Sequence, residues 1–307
     1  MSRAEEPGAI DTNRRAGVLL VDKPAGPTSH DVVDAVRRAL GTRRVGHFGT
    51  LDPFATGLLV CGVGPATRLA PFCAAHDKTY AATFRLGWTS TTDDLEGELS
   101  ERPDSPVPDR ERIEAACRVW TGKVDQTPPA YSAKHVAGQR AHALARRGRT
   151  VLLEPVPVEI HSITIERYRY PDLDLTVDCG PGTYVRSLAR DVGETLGTGA
   201  YCAALRRLRS GPFLVGRAVP LDALAESAAS EVRSAAEAVP ELPRARLDED
   251  QARAVVEGRA VNPPRIPASG WVALVGPRGF IGLGEVVEPE GGLVRPRRII
   301  FPEGEGR

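Results

Sequence analysis

Long apolar runs are missing from this 307-residue chain, and so is any cysteine pattern that would frame a disulfide scaffold or a zinc site. No stretch approaches the roughly 20 apolar residues needed to span a bilayer. Residues 1–15 mix charges of both signs without the apolar segment of a secretory signal, so the expected location is the cytoplasm. The five cysteines, Cys61, Cys73, Cys117, Cys179 and Cys202, are scattered and include no CxxC pair, which marks them as small core residues. The HxE and PCxxC elements of zinc deaminases are absent as well. Net charge is also lacking: 40 Lys+Arg balance 40 Asp+Glu, so overall electrostatics neither announces nor excludes a polyanionic partner.

What is present reads as an ordinary soluble protein, 41% hydrophobic and 26% charged, long enough for a sizeable core and for two domains. Its arginines are unevenly placed. They collect as Arg37, Arg38, Arg43 and Arg44, then Arg140, Arg146, Arg147 and Arg149, then Arg206, Arg207 and Arg209, whereas residues 222–250 are mostly acidic. Three such clusters form one polyanion-binding surface only if the fold brings them together.

Along the chain, residues 1–15 read as a loose arm. Gly17 to Val21 is a short buried strand, and Thr28 or Ser29 caps an amphipathic helix from His30 to Leu40, stopped by Gly41. Leu58–Val63 is a second apolar strand and Lys78–Gly87 an alternating one with Tyr80, Ala82, Phe84 and Leu86 on its core face. Residues 89–108 read as a loop, Asp109–Thr121 as a helix, Gln126–Lys134 as a rigid non-helical segment and Gly138–Arg147 as a basic helix. Strands follow at Val156–Tyr168 and Leu173–Cys179. A helix then runs through Leu196 with Tyr184 and Arg186 in its first turn, before a strand at Ala200–Arg209. Residues 218–246 suggest a helix and a connector. A short helix at Asp248–Glu257 and strands at Trp271–Val275, Phe280–Val287 and Leu293–Phe301 then make a small, mostly β unit. The expected division is an arm at 1–15, a main domain at 16–243 and a C-terminal domain at 244–307.

The stretch Val45 to Gly57 stands apart. Three glycines, one histidine and an Asp52-Pro53 step describe a loop of fixed shape, because glycine supplies unusual backbone angles while Pro53 sets its own φ and restricts Asp52. A carboxylate held between apolar neighbours suits nucleophilic or acid/base chemistry. The plain alternative is an Asp-Pro turn.

Five strings, in order, resemble the bacterial TruB-type tRNA pseudouridine(55) synthases: Gly17 to Pro24, Gly46 to Gly57, Lys78-Thr79-Tyr80, Gly182 to Arg186 and Leu205 to Leu208. The resemblance implies isomerisation of a uridine in the tRNA T loop, without metal or organic cofactor, by an enzyme that binds the T stem-loop and no membrane, and a monomer is expected. It implies an α+β fold: a catalytic domain on a bent, mainly antiparallel sheet with flanking helices, plus a small PUA-like C-terminal domain. Asp52 matches the nucleophile, and Arg186 the arginine paired with it. Tyr80 matches the tyrosine that stacks on the target base and is a proton carrier at the reacting carbon. Tyr184 and Leu205 match residues lining the uracil pocket, His47 the residue filling the vacated place in the RNA stack, and Lys23 a support of the nucleophile loop. Phe54 departs from the family pattern, where an aliphatic residue is usual, and calls for repacking behind Asp52. Whether Asp52 acts at C1′, at the uracil ring or as a base stays open. Two other classes compete: an RNA-folding protein with secondary or lost catalysis, and a hydrolase using Asp52, although no second carboxylate is visibly paired with it.

Overall fold

The computed structural model describes residues 16–129, 153–288 and 292–300, together with the backbone of 135–136 and 139–140. The expected arm at 1–15 and most of the second arginine cluster lie outside the described residues, as does the expected basic helix at 138–147 apart from Gln139–Arg140, which are paired as a strand and not helical.

Strands run at Gly17–Lys23 (β1), Val45–His47 (β2), Thr56–Val63 (β3), Lys78–Leu86 (β4), Trp88–Ser90 (β5), Leu99–Glu101 (β6), Gly122–Gln126 (β7), His135–Val136 (β8) and Gln139–Arg140 (β9). They continue at Val156–Arg169 (β10), Asp172–Cys179 (β11), Ala200–Ser210 (β12), Phe213–Leu214 (β13), Val219–Pro220 (β14), Arg233–Ser234 (β15), Arg244–Arg246 (β16), Gly270–Gly276 (β17), Gly279–Glu288 (β18) and Leu293–Ile299 (β19). Helices occupy Ser29–Leu40 (α1), Ala70–Ala74 (α2), Arg110–Val119 (α3), Val185–Leu196 (α4), Leu224–Ser227 (α5) and Glu249–Val256 (α6).

The main sheet runs in the order β14-β1-β3-β12-β4-β11-β10-β7, with β2 beside β3, β13 beside β12 and β15 beside β1. Within this sheet, among the described residues, only the strand pairs β1/β14 and β3/β12 run in parallel, so the sheet is mainly antiparallel and the fold is α+β. β1 and β3 read as continuous apolar runs because both their faces are covered. Leu19, Val21, Leu59 and Cys61 join α1 and α4 in one core, while Val18, Leu20, Leu58 and Val60 face a second core shared with Ala273 and Leu283 of the C-terminal sheet. That sheet, β16-β17-β18-β19, also closes a core of its own around Leu274, Val255 and Val294.

Helix α1 is capped by Thr28, whose hydroxyl accepts from the Asp31 amide while Asp31 accepts in return from the Thr28 amide. Ser29, the other cap candidate, is instead the first helical residue, and its hydroxyl has a different partner. Two further readings need correction, and three short strands escape the sequence. The loop at 89–108 contains the β5/β6 hairpin. Residues 218–246 form no sustained helix: the four residues of α5 follow a 3₁₀ turn at Leu221–Ala223, and the chain then passes through β15 into a second 3₁₀ turn at Ala235–Ala238. β2, β7 and β16, of three to five residues, alternate too briefly to be read from sequence.

Gly57 is where β3 meets β12 at close range. Its φ is 97°, and a Cβ there would stand 2.4 Å from the Arg207 carbonyl oxygen and 2.8 Å from the Arg207 nitrogen. Gly197, the C-cap of α4 at φ 74°, has nothing within 4 Å of such a Cβ. Gly57→Ala is therefore expected to lower stability by about 1–3 kcal/mol or more, and Gly197→Ala only by about 1 kcal/mol. Thermal melting of the two variants side by side checks the ranking; equal losses would count against a close approach at Gly57.

Candidate active site

The loop from Phe48 to Ala55 is held by its carbonyl groups. Lys23, fully buried at the end of β1, donates to the carbonyls of Pro24 (2.9 Å), Pro53 (3.0 Å) and Ala55 (2.7 Å). Three acceptors require three N–H donors, so Lys23 is an ammonium here, although burial pulls its pKa below the usual lysine value, against the pull of Asp52. Arg207 on β12 donates from Nε to Leu58 O (2.7 Å), from Nη1 to Thr50 O (3.2 Å) and from Nη2 to Gly49 O (3.0 Å). The Ser29 hydroxyl accepts from the Leu51 amide (2.8 Å) and donates to the Leu51 carbonyl (2.9 Å), and the Gly26 amide donates to Pro53 O (2.9 Å). Apolar anchors complete the loop. Leu51 and Phe54 point into the core, so the bulky Phe54 is accommodated there.

Asp52 is left facing Arg186. The Arg186 Nε lies 3.0 Å from Asp52 Oδ2, with the Asp52 side chain 34% exposed and that of Arg186 5%. Arg186 also donates from Nη1 to Asp94 Oδ2 at 2.7 Å, and Asp94 is 1% exposed. A second carboxylate thus shares the arginine without being paired with Asp52 itself. Asp94 lies in a stretch read as a plain loop, because Thr91-Thr92-Asp93-Asp94 has the composition of a solvated turn. The signal was on the partner helix: Arg186, Arg190 and Glu194 stand four residues apart on one face of α4. Arg190 holds Asp93 at 2.7 Å and Glu194 holds Arg102 at 2.8 Å. Asp93 is kept at a φ of 62° beside them.

Burial pushes the Asp52 carboxyl above the ordinary carboxylate value of 3.8; Arg186, then Lys23 and Arg207, oppose this, and Asp94 adds to it. Tyr80, on β4 opposite Arg207, is buried in the same core as Leu51, Phe54 and Leu205, and desolvation raises its hydroxyl pKa. Tyr184 is the extended N-cap of α4 and not part of its first turn as expected, because the helix begins at Val185; Gln126 brackets it, accepting from its amide at 2.8 Å and donating to its carbonyl at 3.1 Å. His47 ends β2, half-buried, with its ring edge-on to His30 at 5.7 Å. Its Nδ1 is buried without a hydrogen bond, and burial, His30 and Arg207 lower its pKa, which favours the neutral ring.

The third arginine cluster does not form an open basic patch. Arg206 pairs with Asp22 at 2.7 Å, Arg209 with Asp178 at 2.6 Å, and Arg207 is inside. Arg38, Arg43 and Arg44 remain exposed next to the loop. Among the described residues no group of three or more His, Cys, Asp or Glu could hold a metal ion.

A model of the TruB family pseudouridylate synthase N-terminal domain matches residues 37–185, and models of the tRNA pseudouridylate synthase B and pseudouridine synthase II TruB C-terminal domains match 186–248 and 243–300. The tRNA pseudouridine synthase B of Thermobifida fusca (strain YX) is 50% identical over 274 residues, covering 86% of this chain and 92% of the relative. The chain belongs to the TruB family of pseudouridylate synthases. Its relative from Arthrobacter sp. (strain FB24), also called tRNA pseudouridine synthase B, is 41% identical over 94% of this chain and 98% of the relative. A solved Cbf5-Nop10-Gar1 complex contains a chain of the same fold, with a TM-score of 0.72 at 24% identity, covering 94% of this chain and 86% of that one.

Within this TruB-family site, removing the Asp94 charge is expected to loosen Arg186 and also to take a repelling charge away from Asp52. Asp94→Asn should lower turnover about 10- to 100-fold and move the acid limb of the pH–rate profile to lower pH, with tRNA affinity nearly unchanged. Single-turnover rates across pH check both; a limb that moves up would contradict the geometry.

Proposed function

We propose that the chain isomerises uridine 55 in the T loop of tRNA to pseudouridine, with Asp52 as the nucleophile. The observation that carries this reading is the Asp52–Arg186 ion pair on a clamped loop in a member of the TruB family. The reaction breaks the C1′–N1 bond, turns the uracil and joins C5 to C1′; N1 ends with a proton and C5 loses one. Substrate and product contain the same atoms, so no oxidant, reductant or co-substrate is consumed.

A carboxylate that adds covalently and leaves again divides this into easier steps. Arg186 keeps Asp52 ionised and aimed while the pocket excludes water. The target base lies inside a folded loop and must be extruded. His47 takes its vacated place in the stack, and a neutral imidazole suits that role. Tyr80 stacks on the flipped uracil, an interaction on the order of 1 to 3 kcal/mol, and carries the proton at C5. Leu205 and Tyr184 wall the pocket so that the detached base does not drift, and Lys23 supports the loop.

The partner is the tRNA elbow. Exposed Arg38, Arg43 and Arg44 contact phosphates beside the T loop, the protein acts as a monomer in the cytoplasm, and residues 244–307 serve as a PUA-like RNA-binding domain behind the catalytic domain at 16–243.

An unmodified tRNA transcript incubated with the protein should acquire one carbodiimide-dependent primer stop in the T loop, and Asp52→Asn should abolish it while still binding tRNA. A wild type that leaves the T loop unmodified sinks the proposal. Activity needs ionised Asp52, so the rate should fall with acidification through a midpoint above 3.8, the ordinary carboxylate value. His47→Ala should slow turnover on folded tRNA more than on an isolated stem-loop; equal losses would count against a role in the stack.

A further inference from the structure

Arg207 is a buried cation to which the proposed reaction assigns no step. It is 3% exposed, and among the described residues no carboxylate lies within ion-pair distance of it. Three of its hydrogen bonds go to neutral carbonyls, two on the loop that carries Asp52 (Gly49 and Thr50) and one on β3 (Leu58), and its side chain also acts on the Tyr80 hydroxyl, whose pKa it pulls down against burial. Its own backbone stands opposite Tyr80 across β12 and β4 and pairs in parallel with Gly57 on β3. One planar group thus joins the strand that follows the Asp52 loop, the loop itself and the strand facing Tyr80. A guanidinium is suited to this because its fixed fork reaches three acceptors at once, whereas an ammonium is a compact point donor.

We propose that Arg207 is a positioning residue of the reaction, fixing the Asp52 loop against the Tyr80 strand through its guanidinium fork and supplying an unneutralised positive charge to the pocket. The proposal rests on Asp52 being the nucleophile. The fork sets where Asp52 stands relative to the stacked base. The charge favours the ionised carboxylate, in a field to which Arg186 and Lys23 add and from which Asp94 and Glu96 subtract.

The test compares Arg207→Lys, which keeps the charge and loses the fork, with Arg207→Gln, which keeps amide donors and loses the charge. Ile113→Ala, a core truncation in α3, serves as a stability control, and Asp52→Asn is run in parallel. Single-turnover rates under saturating protein, tRNA affinity by filter binding and melting curves are measured, with all assays below every melting midpoint. Arg207→Lys should lose about 100-fold in rate, the effect of roughly 1 Å of misplacement, with tRNA affinity within about threefold and the acid limb where the wild type has it. Arg207→Gln should slow the reaction and move the acid limb to higher pH, because losing a cation raises the Asp52 pKa. An Arg207→Lys rate within about threefold of wild type overturns the proposal. So does a slowing that Ile113→Ala reproduces at equal melting loss, or one that lies entirely in tRNA affinity. If Asp52→Asn keeps wild-type turnover, the nucleophile assignment itself fails. An inactive Asp52→Asn beside a fully active Arg207→Lys removes the Arg207 role alone.

Discussion

The structure depends on two buried cations bonded to carbonyl oxygens. Lys23 and Arg207 come from the two strands that flank β3, and between them they hold the carbonyls of Gly49, Thr50, Pro53, Ala55 and Leu58. A loop has no ladder to satisfy its backbone, and leaving a buried carbonyl unpaired costs about 1–3 kcal/mol. Here side-chain donors supply the missing bonds, so the loop can lie inside the protein and still keep one shape. Because the partners are neutral, both cations retain their full charge within reach of Asp52.

That arrangement resolves a conflict at the site. Desolvation alone would protonate a carboxyl in a pocket closed enough to exclude water, and a protonated Asp52 could not attack. Arg186 opposes this directly, and the two loop-binding cations oppose it from behind. Asp94 acts in the other direction on the pKa while it fixes the arginine. Arg186 is thus anchored at one end of its guanidinium and presents the other to Asp52, which trades some carboxylate stabilisation for a defined orientation. The hairpin that carries Asp94 is itself fastened to α4 through Arg190 and Arg102, so the site's geometry is tied to the sheet on one side and to a helix on the other.

Much of this was legible in the residues. The continuous apolar runs of β1 and β3 and the strict alternation of Leu173, Leu175, Val177 and Cys179 specify strands without ambiguity, and the Asp52-Pro53 step among glycines marks a shaped loop. Asp94 and Arg207 were hidden for different reasons. Asp94 sits in a polar Thr/Asp run whose composition is that of a surface turn, and only its distant pairing with α4 makes it buried. Arg207 stands in the string Arg206-Arg207-Leu208-Arg209, whose other two arginines make partly exposed ion pairs, and basic composition gives no sign that Arg207 alone points inward. The strand period of two carries that information, since residues 206 and 207 must face opposite sides of β12. Ser29 shows a similar limit: two hydroxyls in a row both suit a cap, and tertiary contact with Leu51 decides between them.

The central claim is that Asp52 is ionised at neutral pH while its pKa is raised by burial. Difference infrared spectroscopy of the wild type against Asp52→Asn, titrated from neutral to acid pH, reads the carboxyl directly. The account predicts a carboxylate band at pH 7 that converts to the protonated form on acidification, with a midpoint above 3.8. A protonated carboxyl already present at pH 7, or a midpoint below the ordinary value, would contradict it.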